Sequence, residues 1–207
     1  MRTLTRMALS EKPTTRQAQR EATRERLFAE AVVEFKRTGL AAADVSAIVE
    51  AAGVAHGTFF FHFPTKEHVV AELGQREEVR MAQDLDRFLG SPRTVGELLV
   101  EVIRLTALLE RRIGTLLFKD MTALYFSPTR PELQPWADHP VIARVVDEFR
   151  KAADRGEIRT DHADPANSAM FFFLGLFAVL VTQDRSTRCA AALEQFVAVL
   201  LAGLEPA

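Results

Sequence analysis

The stretch Val-Ser-Ala-Ile-Val-Glu-Ala-Ala-Gly-Val-Ala-His-Gly-Thr-Phe-Phe-Phe-His-Phe, residues 45–63, decides how the N-terminal part of this chain folds. Apolar residues recur at helical spacing up to Ala52, and a second short helix is predicted over about residues 55–61. Gly53 can adopt the positive φ that ends the first helix sharply, so the two helices meet in a tight turn. This pattern predicts either a helix-turn-helix that enters a DNA groove or a helical hairpin used only for packing.

Helical patterns also fill the chain on both sides of this stretch. Capping signals support them, among them the Thr94–Glu97 capping box and the pair Asp164-Pro165. Neither strand-like alternation nor a nucleotide-type glycine-rich loop occurs in the sequence. We therefore predict an all-α fold of about nine helices, including helices over about residues 15–37, 45–52, 55–61, 66–89, 140–155, 165–182 and 187–204.

The charge of the chain is unevenly distributed. The 207 residues carry a net charge of −2, which argues against a uniformly basic nucleic-acid-binding protein. Residues 1–66, however, hold ten basic and seven acidic side chains, net +3, whereas the remaining 141 residues hold 16 basic and 21 acidic ones, net −5. This asymmetry favours a nucleic-acid-facing N-terminal part on an acidic body.

The residues that carry most enzyme and metal chemistry are sparse. The one cysteine, Cys189, excludes an internal disulfide and a multi-cysteine metal site. The five histidines are scattered, without the spacing that places two metal ligands on one helix face. No Ser/His/Asp or Cys/His arrangement stands out, so we expect no metal, no cofactor and no enzymatic activity.

Nothing in the sequence predicts export or membrane insertion. The longest apolar run, residues 169–181, has 13 residues. A transmembrane helix needs about 20, so this run predicts a buried helix. The apolar stretch after Arg2 and Arg6 is too short for the core of a signal peptide, so we expect a cytoplasmic protein without a membrane partner.

The region from Gly39 to Lys66 resembles the DNA-binding domain of TetR-family transcriptional regulators. The matching positions are Gly39, Val45, Ile48, Ala52-Gly53-Val54, Gly57-Thr58-Phe59, His62-Phe63 and Lys66. The resemblance implies a homodimeric, repressor-like protein that binds a palindromic DNA operator and a small effector. It divides the chain into residues 1–64, the N-terminal arm and helix-turn-helix domain, and residues 65–207, the effector-binding and dimerisation domain.

The resemblance also assigns roles to individual residues. Gly57 would allow close approach to the phosphate backbone, and Thr58 and Lys66 would donate to phosphates. Histidines 56 and 62 would lie near bases or backbone. The complete predicted DNA-binding set is Arg16, Arg20, Arg24, Ala55, His56, Gly57, Thr58, Phe60, His62 and Lys66.

The sequence departs from the family pattern at the points where the family contacts DNA. Ala55 replaces the usual Ser-like N-cap of the recognition helix, and Phe60 replaces a frequent Tyr whose hydroxyl reaches DNA. Ala43-Asp44 stands where a Thr pair is common. Because the recognition helix has no Lys or Arg, we expect modest affinity that depends strongly on salt and on basic residues outside this helix.

Two apolar clusters predict an effector pocket and a dimer interface. The predicted effector residues are Phe118, Met121, Tyr125, Trp136 and Phe149, which favour a hydrophobic or amphipathic effector. The two last helices carry apolar faces that predict a four-helix dimer interface, formed by Phe172, Phe173, Leu176, Phe177, Leu180, Leu193, Phe196 and Leu200. Closure of both faces onto a monomeric core is the alternative.

These observations favour a ligand-responsive, DNA-binding transcriptional regulator that acts as a dimer. The rival hypothesis is an α-helical small-molecule or lipid-binding protein whose helix-turn-helix no longer binds DNA specifically. Ala55, Phe60 and the missing cations of the recognition helix motivate this rival.

Overall fold

The computed structural model describes residues 15–128, 130–131, 139–161, 164–182 and 187–205 of the chain. This part of the chain contains helices and no strands, which confirms the predicted all-α fold. Nine helices occur in it: α1 (Thr15–Ala42), α2 (Val45–Ala51), α3 (His56–His62), α4 (Lys66–Phe88), α5 (Val95–Ile113), α6 (Thr115–Leu124), α7 (Pro140–Asp154), α8 (Pro165–Thr182) and α9 (Thr187–Leu204).

Helix α1 is broken at Gly39. Gly39 interrupts the helix with a φ of 79° and a ψ of 165°, and one further turn follows to Ala42. The Leu40 amide donates to Asp120 Oδ2 of α6 at 2.7 Å, so a carboxylate 80 residues away supports the bent backbone. The regular helix thus ends at Gly39, close to the predicted end near residue 37, and only the turn after it was not predicted.

Helices α1, α2 and α3 form a three-helix unit around a small aromatic core. Asp44 caps α2, because its Oδ1 accepts the Ser46 amide at 2.8 Å. Gly53 takes a φ of 67°, as the tight turn requires. Ile48, Phe59 and Phe63 are buried, and Val45 and Val54 are half-buried against them.

An ion-pair network joins α1 to α4. The guanidinium of Arg24 makes two bonds to the Glu72 carboxylate, one of them 2.8 Å long. Arg76 donates to the same carboxylate at 2.6 Å and to Glu25 Oε2 at 2.8 Å. Burial alone would raise the pKa of Glu72, but its bonds to Arg24 and Arg76 keep it below the ordinary value. The carboxylate is therefore charged at neutral pH and orients both arginines.

Helices α5 to α9 enclose a second core. The predicted capping box starts α5: the Thr94 hydroxyl accepts the Glu97 amide, and the Glu97 carboxylate accepts the Thr94 amide. Helix α8 packs against α6, α7 and α9. Its 18 residues are long and apolar enough to span a membrane by length and composition, but core helices of folded proteins pass the same test.

Close packing of α8 on α9 depends on Gly175. A Cβ atom at this position would lie 2.4 Å from the Phe196 ring, far inside van der Waals contact. Phe196 is not free to withdraw, because its ring stacks on Phe172 with centroids 6.0 Å apart. The missing side chain at Gly175 therefore leaves room for the Phe196 ring between α8 and α9.

We expect Gly175→Ala to lower the free energy of unfolding by about 1–2 kcal/mol, since the overpacking exceeds the gain in helix propensity. Urea unfolding measures this change. Gly203→Ala in α9 is the matched control, because a Cβ there meets nothing within 4 Å. Equal stability of the two variants would contradict the packing role of Gly175.

Candidate functional site

The exposed face of α3 is aromatic rather than basic. Phe59 is the residue of this helix that the core buries, whereas Phe60 and Phe61 are 48% and 66% exposed. His56 and Gly57 are also exposed. The helix begins one residue later than predicted, with Ala55 as an N-cap that makes no side-chain bond. Sequence reasoning singled out Phe60 but missed Phe61.

The N-terminal part of α1 supplies basic side chains beside α3. Arg16 and Arg20 are exposed, and the Arg20 guanidinium lies 4.9 Å from the centroid of the Phe61 ring. Arg24, also predicted to contact DNA, binds Glu72 and lies 4.6 Å from the Phe63 ring centroid. Its hydrogen bond to Glu72 raises its pKa. Arg24 thus belongs to the link between α1 and α4.

Lys66 also makes contacts within the protein. Its Nζ donates to the carbonyl oxygens of Ala41 at 3.2 Å and Ala43 at 3.1 Å. The first residue of α4 therefore holds the segment that connects α1 to α2. Thr58, the other predicted phosphate donor, is half-buried, and its amide donates to the Ala55 carbonyl at 2.9 Å.

His62 sits at the inner edge of this surface. Its Nδ1 is buried and has no hydrogen-bond partner among the described residues. Burial lowers the pKa of His62, and the positive charges of Arg20 and Arg24 lower it further. The imidazole is therefore neutral at pH 7 and adds no charge to the surface around α3.

A cavity of about 70 Å³ lies among α4, α5, α6, α7 and α8. Three of the predicted effector residues, Phe118, Met121 and Tyr125, line it. Phe149 does not, because α7 buries it completely in the core, and Trp136 lies outside the described residues. The other lining residues are Gly74, Glu78, Met81, Thr106, Leu109, Thr122, His139, Val141, Ile142, Phe173 and Phe177.

One end of this largely apolar cavity is polar. Glu78 Oε2 lies 2.7 Å from His139 Nδ1, and Glu78 Oε1 accepts the Val141 amide. The Tyr125 ring meets the His139 ring edge-on at 5.9 Å and stacks on Phe177 at 6.1 Å. Burial raises the pKa of Tyr125, and the negative charge of Glu78 raises it further, so the phenol keeps its proton.

Helix α6 connects the cavity to the three-helix unit. Phe118 and Met121 face the cavity, while Asp120 on the same helix holds the Leu40 amide of α1. A second bond joins α1 to the end of α5, where Lys36 Nζ donates to the Arg112 carbonyl at 3.0 Å. Residues 118–121 of α6 therefore contact both the cavity and the bent end of α1.

The predicted dimer residues lie in two environments. Within one protomer, Phe172, Phe173, Leu176 and Leu180 are already buried, and Phe173 and Phe177 face the cavity. Leu193, Phe196 and Leu200 of α9 are half-buried against the core. Exposed apolar side chains lie elsewhere on the two helices: Met170, Phe171, Leu174, Val181 and Val199. The dimer interface, with the residues predicted for it, stays a prediction.

Metal-binding chemistry is not evident in the part of the chain described above. There, no group of three or more His, Cys, Asp or Glu side chains could hold a metal ion. Cys189 is buried as a free thiol.

Comparison of sequences identifies the N-terminal unit. Residues 27–73 match the family of bacterial regulatory proteins known as the tetR family. They span most of α1, all of α2 and α3, and the start of α4. No curated protein sequence matches the chain.

Comparison of structures extends the likeness to most of the chain. Thermus thermophilus FadR, a TetR-family repressor solved with lauroyl-CoA, is 22% identical with a TM-score of 0.68, covering 89% of this chain and 96% of that one. Bacillus subtilis FadR, solved with stearoyl-CoA, is 17% identical with a TM-score of 0.63, covering 87% and 99%. Mycobacterium tuberculosis KstR2, a ketosteroid transcriptional regulator, is 19% identical with a TM-score of 0.54, covering 89% and 95%. The resemblance to TetR-family transcriptional regulators and the all-α fold are thus confirmed.

The environment of His62 predicts a pH dependence of stability. The unfolded chain binds a proton on this residue near its ordinary pKa of 6.5, whereas the folded chain does so only at lower pH. The contribution of neutral His62 to the free energy of unfolding is therefore complete above pH 6.5. It is lost as the pH falls towards the folded-state pKa. Urea unfolding of wild type and His62→Gln, from about pH 7.5 to pH 5, should show a shallower decline for the variant. His56→Gln, an exposed histidine of the same helix, is the control, and identical profiles for all three proteins would contradict this account.

Proposed function

We propose that this chain, whose N-terminal unit matches the TetR family, is a cytoplasmic, dimeric transcriptional repressor released from a palindromic operator by a small effector. The observation that carries the proposal is the projecting helix α3 beside the exposed arginines of α1. This arrangement is what a recognition helix needs: one element enters the major groove while flanking cations meet the phosphates.

Affinity and sequence recognition come from different helices in this proposal. Helix α3 contains no Lys or Arg, so it adds little attraction to the phosphate backbone. Arg16 and Arg20 lie on α1 with exposed side chains. Arg24 and Lys66 are held by contacts within the protein and contribute mainly to rigidity. The electrostatic part of DNA binding therefore rests on the start of α1.

DNA binding should weaken steeply with salt. Replacing Arg16 and Arg20 by alanine should lower the steepness of the plot of log binding constant against log salt concentration by roughly one per residue. The measurement is titration of the dimer with duplex DNA from upstream of its own gene and with a scrambled duplex, at several salt concentrations. Arg150→Ala removes the same charge from α7, in the other part of the protein, and should leave the slope unchanged. Equal affinity for the two duplexes would contradict the operator-binding function.

The effector site in this proposal is the cavity beneath Tyr125. Its walls are mostly apolar, and its polar end consists of Tyr125 and the Glu78–His139 pair. A carboxylate ligand would lie close to the Glu78 carboxylate, which is unfavourable. We therefore favour an apolar chain that ends in a neutral hydrogen-bonding group. The acyl-CoA ligands of the two FadR structures support an acyl-type compound.

Release from DNA follows from the position of the cavity. At about 70 Å³, it accommodates a compact group without change, and an acyl chain must push its walls apart. Two of those walls, α4 and α6, are tied to the same short segment of backbone: Lys66 to Ala41 and Ala43, and Asp120 to Leu40. Separation of the walls would therefore turn the three-helix unit and change the spacing of the two recognition helices.

Lauroyl-CoA and 1-dodecanol should raise Tm more than laurate does. The thioester and the hydroxyl group are neutral, whereas laurate would place a carboxylate next to Glu78. Gly74→Leu should abolish these shifts, since its Cβ would lie 3.5 Å from Tyr125 Oη and the rest of the side chain would fill the cavity. Thermal unfolding measures both effects, with Gly203→Ala as the control variant. An undiminished rise in Tm for Gly74→Leu would mean that the ligand binds outside this cavity.

A second candidate function is a helical ligand-binding protein that does not select a DNA sequence. The uncapped start of α3 and its exposed phenylalanines favour this candidate. It predicts the ligand-induced rise in Tm together with equal affinity for the two duplexes. The two measurements therefore separate the candidates.

A further inference from the structure

Helix α3 exposes two phenylalanine side chains. Phe60 and Phe61 leave about half or more of their side-chain surface in solvent, on the helix proposed to enter the major groove. Neither ring can donate or accept a hydrogen bond. The apolar group that B-DNA offers in its major groove is the C5-methyl of thymine.

The two phenylalanines do not face the same way. Phe60 lies one helical turn after His56, and the two rings are 5.7 Å apart. His56 belongs to the first turn of α3, the part of a recognition helix that approaches base edges. Phe61 lies under the Arg20 guanidinium and thus faces α1. Phe60 is therefore the phenylalanine on the groove side of the helix.

The surroundings of Phe60 hold its ring in place and leave access to it. The buried Phe59 ring meets it edge-on, with centroids 5.3 Å apart and planes at 80°. Gly57, three residues earlier, lies on the same face of the helix. A Cβ at Gly57 would meet nothing within 4 Å, so this face is open on the side from which DNA would approach.

We propose that Phe60 is a specificity-determining residue that packs against a thymine methyl group in each operator half-site. This inference rests on the proposed function and deepens it. The ring contributes sequence selection through apolar contact, while the arginines of α1 contribute affinity through the phosphates. The operator must then carry a thymine at one defined position of each half-site.

The experiment begins with selection of duplexes from a random-sequence library by the full-length dimer. Each thymine of the enriched duplex is then replaced in turn by uracil, which lacks only the methyl group. For the wild type, uracil at one position per half-site should weaken binding by about fourfold for each methyl group removed. Uracil at the other positions should leave the affinity unchanged.

Variants assign the effect to a side chain. Phe60→Ala should bind the thymine and uracil duplexes equally, and Phe60→Tyr should keep the fourfold preference for thymine because the ring remains. Phe61→Ala, which removes the neighbouring exposed ring, should also keep the preference. If Phe60→Ala does not fold, Phe60→Gln carries the same test with a polar, helix-compatible side chain.

The outcomes separate this inference from the function on which it rests. An enriched sequence without a uracil-sensitive position would overturn the thymine contact and leave the operator function standing. A preference that persists in Phe60→Ala would overturn the role of Phe60. Failure of any sequence to be enriched would overturn the operator function and, with it, this inference.

Discussion

The bend of α1 at Gly39 is the constraint on which the relation between the two parts of the molecule depends. A φ of 79° is costly for any residue with a side chain, and a Cβ there would lie 3.2 Å from Asp120 and Leu116. The bend turns the Leu40 amide towards Asp120 and leaves the Ala41 carbonyl for Lys66. Helices α6 and α4 thus both hold the chain within residues 40–43, just before the helix-turn-helix begins.

The ion pairs between α1 and α4 also join these two helices, at a point in α1 that precedes the bend. Exposed ion pairs contribute little to stability, but Glu72 is half-buried and shared by Arg24 and Arg76. Removing it would leave Arg24 without its carboxylate and Arg76 with Glu25 alone. The network also orients Arg24, because its pairing with Glu72 ties the guanidinium to α4. The DNA-binding unit is therefore held to α4 through a side chain that is itself predicted to contact DNA.

The sequence predicted the features that depend on neighbouring residues and missed those that depend on distant ones. The helix-turn-helix and its caps follow from Asp44, Gly53 and Ala55, each acting on its own turn. The extension of α1 does not, because it depends on a carboxylate on α6. Phe118 and Met121 were found as a stripe on one helix, whereas Glu78 and His139 reach the cavity from separate segments. Because α8 is apolar on most sides, its sequence likewise could not reveal which of its faces packs within its own protomer.

The aromatic face of α3 changes what its lack of cations means. A recognition helix without Lys or Arg has no long-range attraction for phosphate, so every duplex is bound weakly by that helix alone. Discrimination, however, is a difference between affinities, and a weak common term leaves more of the total to sequence-dependent contacts. An apolar ring against a methyl group is such a contact, because its free energy comes from burial and is nearly independent of salt. The same helix composition that argues against tight DNA binding is therefore compatible with selective binding.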